Sequence, residues 1–175
     1  MTGEHKQWAP AEKPAAGQAS GSAATAAVQH DQPVLQIHRI YLKDMSLEQP
    51  NSPAIFLKEG TPAIELEIMV DVHELEAACF ESQLTVTVTA KLEEQVALVI
   101  EALQAGIFEA HVPEGQLDQV KRVTCPGILF PYLRANVADA ITRAGFPALH
   151  LADINFGALY DQHLAQRAAV SAPAY

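Results

Sequence analysis

Cys125 is the residue whose type and position come closest to nucleophilic chemistry. It precedes a predicted helix, and the dipole of a helix N-terminus can lower the pKa of a thiol. Free cysteines, however, are among the most buried residue types. We therefore interpret Cys125 as a small, buried core residue.

The carboxylates and imidazoles suggest one metal site and one acid–base pair. His73 could share a strand face with Glu65 and Glu67 and bind a metal with them. We prefer to interpret the three as a solvated polar face. Glu93 and Glu94 are adjacent, and adjacent strand residues point to opposite faces, so a polar hairpin turn is the better interpretation.

Other catalytic patterns are absent from the sequence. It contains no GxGxxG, no phosphate-binding P-loop, no HExxH and no paired CxxC, and its seven histidines have no ligand spacing. We predict that the chain is not an enzyme and uses no cofactor and no metal.

The charge indicates what kind of partner the chain can bind. The net charge is −10 and the sequence pI is about 5.0, so the surface repels phosphate backbones and anionic lipids. We predict no nucleic-acid partner and no direct membrane insertion, and expect a basic protein surface instead. Two cysteines, no apolar run of about 18 residues and no signal peptide predict a cytoplasmic protein.

The elements that carry these residues form one predicted domain. Residues 1–32 are rich in Ala, Gly, Ser, Gln and Pro and are predicted to be a disordered tail. Residues 33–167 would form the domain, and residues 168–175 a flexible C-terminal tail.

The first half of this domain has the period of β-strands. Residues 64–73 and 84–92 alternate apolar and polar side chains, which predicts strands with one buried face. Residues 34–48 alternate less regularly, and Ile40 and Leu42 indicate a bulge or a partly covered second face. The predicted faces of this strand are Leu35, Ile37, Tyr41, Met45 and Leu47 on one side, and Asp44, Ser46 and Glu48 on the other.

The strand predicted over residues 95–108 is apolar on both faces and needs cover on both. A small four-stranded sheet cannot easily supply that cover alone. This pattern indicates an oligomer.

The second half has the period of helices. An apolar stripe at every fourth residue, Leu129 to Ile141, predicts a helix that starts between Thr124 and Pro131 and ends at Gly145. Asn155 is the predicted N-cap of a second helix. The stripe of that helix is Phe156, Leu159, Tyr160, His163 and Leu164. Strands followed by helices predict an α+β fold.

Several stretches, in order, resemble the SecB family of protein-export chaperones. They are residues 35–53, 86–90, 104–108, 125–134, 146–151 and 154–156, and the similarity extends from about residue 34 to residue 166. The resemblance implies a four-stranded antiparallel sheet followed by two helices, assembled into a homotetramer as a dimer of dimers. It also implies binding of unfolded preproteins and their delivery to the SecA ATPase, without ATP or a cofactor.

The resemblance also implies two sites. The SecA-binding positions of the family fall on Asp44, Glu48, Val99 and Glu101. The client-binding groove of the family falls on Ile55, Phe56, Leu66, Ile68 and Leu159. The chain departs from the family at residues 59–62, where a tryptophan is usual in the crossover loop.

Two other functions stay open at this point. One is a SecB-like chaperone of a toxin–antitoxin system, which would share the fold and the holding activity. The other is a small-molecule enzyme on an α+β scaffold, and the absence of a catalytic constellation argues against it.

Overall fold

The computed structural model describes residues 33–76 and 78–171, with side chains described up to Arg167. The predicted N-terminal tail and residues 172–175 lie outside the described residues. The elements in chain order are β1 (Val34–Glu48), β2 (Ala63–Glu74), β3 (Cys79–Leu92), β4 (Gln95–His111), α1 (Glu114–Gln119), α2 (Cys125–Arg143) and α3 (Phe156–Ser171).

The four strands form one antiparallel sheet in the order β1-β4-β3-β2. The crossover loop, residues 49–62, carries the chain from β1 at one edge to β2 at the other, and a short 3-10 turn lies within it at Ala54–Leu57. β3 and β4 form a tight hairpin. Its turn is Glu93–Glu94, with Glu93 at φ 55°, so the predicted polar hairpin turn is confirmed.

One side of the sheet, called the helix side here, packs against α2. Even-numbered residues of β3 and β4, such as Val86, Ile100 and Phe108, are buried there. The predicted α2 stripe of Leu129, Leu133, Val137 and Ile141 is buried against them, which confirms it. Burying each such side chain contributes roughly 1.5–3 kcal/mol, and this layer is the main core.

Gly106 lets α2 approach the sheet closely. A Cβ atom at this position would lie 2.6 Å from a ring carbon of Phe108 and 3.0 Å from Leu129. Real Cβ atoms do not approach so closely, so a side chain here would displace the helix or the Phe108 ring.

β1 contains two bulges, which confirms the expectation drawn from Ile40 and Leu42. Its pairing with β4 shifts by one residue between Ile37 and Arg39 and again between Leu42 and Asp44. Each bulge inverts which side chains face the helices. Ile40 and Leu42 therefore turn to the helix side, and the prediction that Tyr41 shares the face of Leu35 and Met45 is wrong.

The first long helix, α2, is preceded by a further helical segment. The chain is helical from Glu114, and a π-turn at Val120–Thr124 joins α1 to α2. Pro126 has no N–H to give to the carbonyl of Arg122, and the wider π-turn lies at that point. The predicted start at residues 124–131 is confirmed for α2, which begins at Cys125, and the helical residues before it, from Glu114, were not predicted.

The C-terminus of α2 follows the prediction. Gly145 has φ 91°, its N–H bonds to the Thr142 carbonyl at 3.1 Å, and the Phe146 N–H bonds to the Ile141 carbonyl at 3.2 Å. These two bonds define a Schellman motif, which satisfies carbonyls left free at the helix end.

α3 begins as predicted, because the Asn155 Oδ1 accepts the Ala158 N–H at 3.0 Å. Phe156 alone of its predicted stripe is fully buried, whereas Leu159, His163 and Leu164 are exposed. The helix runs to Ser171, so it includes the first four residues of the predicted C-terminal tail. Alanines at positions 168 and 169 favour that continuation. No helix in the described ranges combines the length and apolar character needed to cross a bilayer.

Candidate functional site

The sheet side opposite α2, called the open face here, carries the predicted acidic residues. In the β1–β4 register, Glu48 lies opposite Val99, Ser46 opposite Glu101, and Asp44 opposite Leu103. Directly opposed residues share a face, so Asp44, Glu48, Val99 and Glu101 lie together on two adjacent strands. We call these four residues the acidic patch.

The carboxylates of the acidic patch are accessible. Asp44, Glu48 and Glu101 are exposed, and Val99 is half-buried between them. Among the described residues, no basic side chain forms an ion pair with any of the three acids. The Thr87 hydroxyl donates a weak hydrogen bond to Glu101 at 3.4 Å. The patch therefore presents negative charge without a basic partner, and on β1 this charge extends about 13 Å, from Asp44 to Glu48.

The predicted groove residues fall into two cavities. The larger one, about 490 Å³, lies between the crossover loop, the β3–β4 hairpin and the segment after α2. Ile55 forms its wall and is 3% exposed, so it is also a core residue. Phe56 is 46% exposed, and its ring centroid lies 4.9 Å from that of Phe146.

The second cavity, about 300 Å³, lies between β2 and α3. Ile68 and Leu159 line it together with Phe156 and Tyr160. The cavity is thus lined partly by apolar side chains and partly by the polar face of α3.

Leu66 lines neither cavity but connects them. It lies on β2 between Ile64, which lines the larger cavity, and Ile68, which lines the smaller one. All three point to the helix side of the edge strand, opposite Ala90, Val88 and Val86. Ile64 and Leu66 are 42% and 41% exposed. We call Ile64, Leu66 and Ile68 the apolar strip, which is about 13 Å long.

Two residues of this site were missed by sequence reasoning. Phe146 packs against Phe56 and lines the larger cavity, and Ile64 begins the apolar strip. The alternation of β2 places Ile64 on the face of Leu66. Phe146 directly follows the helix-ending Gly145, where an apolar residue commonly packs back on the structure.

The metal site considered at His73 does not form. His73, Glu65 and Glu67 do share the open face, but His73 is eight residues from Glu65, which is about 26 Å along a strand. Glu65 instead forms an ion pair with Lys91 at 2.6 Å. The three residues are a solvated polar face, as interpreted from the sequence.

Cys125 is a core residue, as predicted. It has no exposed surface, and burial raises the pKa of its thiol to about 12 in spite of the nearby Lys121. Removing a thiolate from water is costly, so the thiol stays protonated at neutral pH and cannot act as a nucleophile.

This sheet-and-helix architecture places the chain in the class of SecB-like chaperone folds. The SecB-like chaperone Rv1957 of Mycobacterium tuberculosis, solved with a ChAD peptide of the HigA1 antitoxin, superposes with a TM-score of 0.57. The two chains are 19% identical, and the match covers 69% of this chain and 87% of the other.

The sequence comparison identifies the family. The family model of the preprotein translocase subunit SecB matches residues 28–167, and the chain belongs to the SecB family. It is 58% identical over 137 residues to the protein-export protein SecB of Burkholderia vietnamiensis, which covers 78% of this chain and 86% of the relative. The same identity and coverage hold for the protein-export protein SecB of Burkholderia multivorans.

Proposed function

We propose that this chain is a cytoplasmic chaperone that holds unfolded preproteins and delivers them to the SecA ATPase for export, without nucleotide hydrolysis. The observation that carries the proposal is the apolar strip on an edge strand of a SecB-family chain, with an open cavity at each end. An unfolded polypeptide presents apolar side chains that a folded protein has already buried.

The groove fits an extended client. A client segment along β2 would place side chains on Ile64, Leu66 and Ile68 and insert larger ones beside Phe56 or Leu159. Burying about 600 Å² of apolar client surface at roughly 25 cal/mol per Å² gives about 15 kcal/mol gross. Ordering the client removes much of this free energy, which makes the net binding weaker and reversible.

Export is favoured over service to a toxin–antitoxin pair. The identity to curated export proteins is 58% over most of the chain, whereas the antitoxin-bound chaperone shares only the fold at 19% identity. The three exposed acids of the acidic patch also supply a surface for a basic partner.

We assign SecA binding to the acidic patch. Its three carboxylates lack basic partners among the described residues, and Val99 offers an apolar contact beside them. A basic partner surface would neutralise the field and be attracted from a distance. This role is tested by comparing the SecA affinity of the parent chain with that of a variant in which Asp44, Glu48 and Glu101 are changed to Lys.

The chain assembles, in this proposal, as a homotetramer built from two dimers. On the helix side of β1, Ile37, Leu42 and Met45 are 46%, 41% and 39% exposed, because α2 covers mainly β3 and β4. A second copy would bury this apolar surface. We expect light scattering at micromolar concentration to give the mass of four chains, and a stable monomer would contradict the assembly.

The groove is tested by adding a charge to the apolar strip. In Leu66→Asp the new carboxylate would lie where an apolar client side chain binds, and burying it there is costly. We expect this variant to lose most of its ability to suppress aggregation of an unfolded substrate, measured by turbidity.

Met69→Asp is the matched control. Met69 is on the same strand and is 61% exposed, but it points to the open face. We expect this variant to hold clients as the parent does. Equal holding by both variants would remove the client role of the strip, and equal loss would mean that β2 itself is disturbed.

A further inference from the structure

Four metal-ligating side chains converge on the open face, at the end of the sheet away from the acidic patch. The His38 Nε2 lies 2.9 Å from one carboxylate oxygen of Glu109, and the His111 Nε2 lies 2.7 Å from the other. The Cys79 Sγ lies 4.0 Å from the His38 Nε2. Ligand atoms of His38, Cys79 and Glu109 are all within 4.8 Å of one another.

Three strands bring these residues together. Cys79 on β3 lies directly opposite Glu109 on β4, and His111 follows Glu109 on the same face. His38 is the extra residue of the first β1 bulge, between Ile37 and Arg39. Such bulges commonly re-aim a side chain, and here the imidazole is directed at the Glu109 carboxylate.

The donor set selects a metal class. Imidazole nitrogen, thiolate sulfur and carboxylate oxygen together suit Zn²⁺, which binds these ligands in tetrahedral geometry at about 2.0–2.3 Å. Donors around such an ion are about 3.3–3.8 Å apart by that geometry. His38, Cys79 and Glu109 therefore need only small rotations to surround a cation, and His111, within hydrogen-bond distance of the second Glu109 oxygen, is the candidate fourth ligand.

We propose that His38, Cys79, Glu109 and His111 form a Zn²⁺ site. Cys79 binds as its thiolate, and its proton passes to solvent on metal binding. Glu109 lies between the two imidazoles, and each of its carboxylate oxygens is within hydrogen-bond distance of one of them. The ion would link β1, β4 and β3 where one edge of the sheet carries a bulge.

The site is accessible and separate from the other proposed surfaces. His38 and His111 are exposed, and Glu109 and Cys79 are half-buried. Glu109 is eight residues from Glu101 on β4, about 26 Å along the strand. Zn²⁺ binding and SecA binding can thus be measured independently.

The test uses the full chain, purified metal-free with reduced thiols. Titration calorimetry and elemental analysis after dialysis should show a single tight Zn²⁺ per chain, and Zn²⁺ should raise the melting temperature. Co²⁺ should produce a thiolate-to-metal charge-transfer band. Cys79→Ser should abolish that band, and His38→Ala or Glu109→Gln should weaken Zn²⁺ binding roughly tenfold or more, since even losing an outer partner of a metal ligand costs roughly 10- to 100-fold.

Two controls separate this site from other donors. His73→Ala removes an exposed histidine on the same face and should leave the binding unchanged. Cys125→Ala removes the buried thiol and should leave the Co²⁺ band unchanged. The proposal would be overturned if Cys79→Ser and His38→Ala took up as much Zn²⁺ as the parent chain, or if the parent chain bound Co²⁺ without the thiolate band. Either result would leave only a hydrogen-bonded cluster of His38, Glu109 and His111.

Discussion

At the residue scale, the most heavily bonded carboxylate of the open face is Glu81, which is 8% exposed. Lys43, the extra residue of the second β1 bulge, donates to both of its oxygens at 2.9 Å. Gln83 donates at 2.7 Å, and the Tyr41 hydroxyl donates a short hydrogen bond. The network spans β4 over Ala105, whose small side chain leaves room for Tyr41.

These contacts have opposing effects on the pKa of Glu81. Burial raises the pKa of the carboxyl, but the hydrogen bonds from Tyr41, Lys43 and Gln83 together outweigh burial and lower the pKa to about 2. The hydrogen bond between the Tyr41 hydroxyl and Glu81, together with burial of the phenol, raises the pKa of Tyr41 to about 12. The ionised carboxylate and the neutral phenol are thus the favoured states.

Glu81 should make stability depend on pH. The pKa of Glu81 is lower in the folded chain than the usual 4.5, so its contribution is complete above about pH 4.5 and is lost as pH falls through about 2. The shift corresponds to roughly 3 kcal/mol. We expect Glu81→Gln to lower the free energy of unfolding at pH 7, measured by urea denaturation, and to flatten its fall between pH 4.5 and 2.

Glu67→Gln is the control for this measurement. Glu67 is exposed on the same face, opposite Thr87, and forms no ion pair among the described residues. We expect its stability curve to match the parent. A Glu81→Gln variant with the same acid slope as the parent would refute the role of the network.

At the element scale, periodicity was sufficient to predict all four strands. The alternation in β2 and β3 located both, and the helix stripe ending at Ile141 was confirmed residue by residue. These signals are strong because a buried face repeats with the period of its element. The caps at Gly145 and Asn155 were predictable for a local reason, since each depends on one residue's own backbone or side chain.

Other features of the elements could not be predicted, because they depend on contacts distant in sequence. The bulges of β1 are defined by its pairing with β4, and the irregular apolar pattern showed that a bulge was present but not that Tyr41 changed face. The helical segment begins at Glu114, before Pro126 and Pro131, although prolines signal a helix boundary. The π-turn at Val120–Thr124 accommodates Pro126 without ending the helical segment. The division of the groove into two cavities depends on where α3 packs over β2.

At the scale of the whole molecule, the two sides of the sheet have different chemistry. The helix side carries the core, both cavities and the exposed apolar residues of β1 and β2 other than Met69. The open face carries the acidic patch, the Glu81 network and the His–Cys–Glu cluster. Bound clients and SecA would therefore contact opposite sides of one sheet, so a client need not be released before SecA binds.

This separation predicts that SecA binding can be removed without affecting client holding. Exposed ion pairs are worth about 1 kcal/mol or less each, so the acidic patch must act collectively. Changing Asp44, Glu48 and Glu101 together to Lys reverses the local field. We expect SecA affinity to fall at least about tenfold, which is about 1.4 kcal/mol, in titration calorimetry.

A second triple variant with the same change in net charge distinguishes the patch from overall charge. Glu76, Glu94 and Glu114 are exposed acids outside the patch, and changing them to Lys should leave SecA affinity nearly unchanged.

Binding of SecA to the parent chain should also weaken as salt rises, because exposed charges are screened beyond about 8 Å at physiological ionic strength. Both triple variants should still suppress aggregation, since the apolar strip lies on the other side of the sheet. Equal SecA affinity of the two variants would show that the patch is not the binding surface, and loss of holding in the patch variant alone would show that these acids serve the groove or the fold.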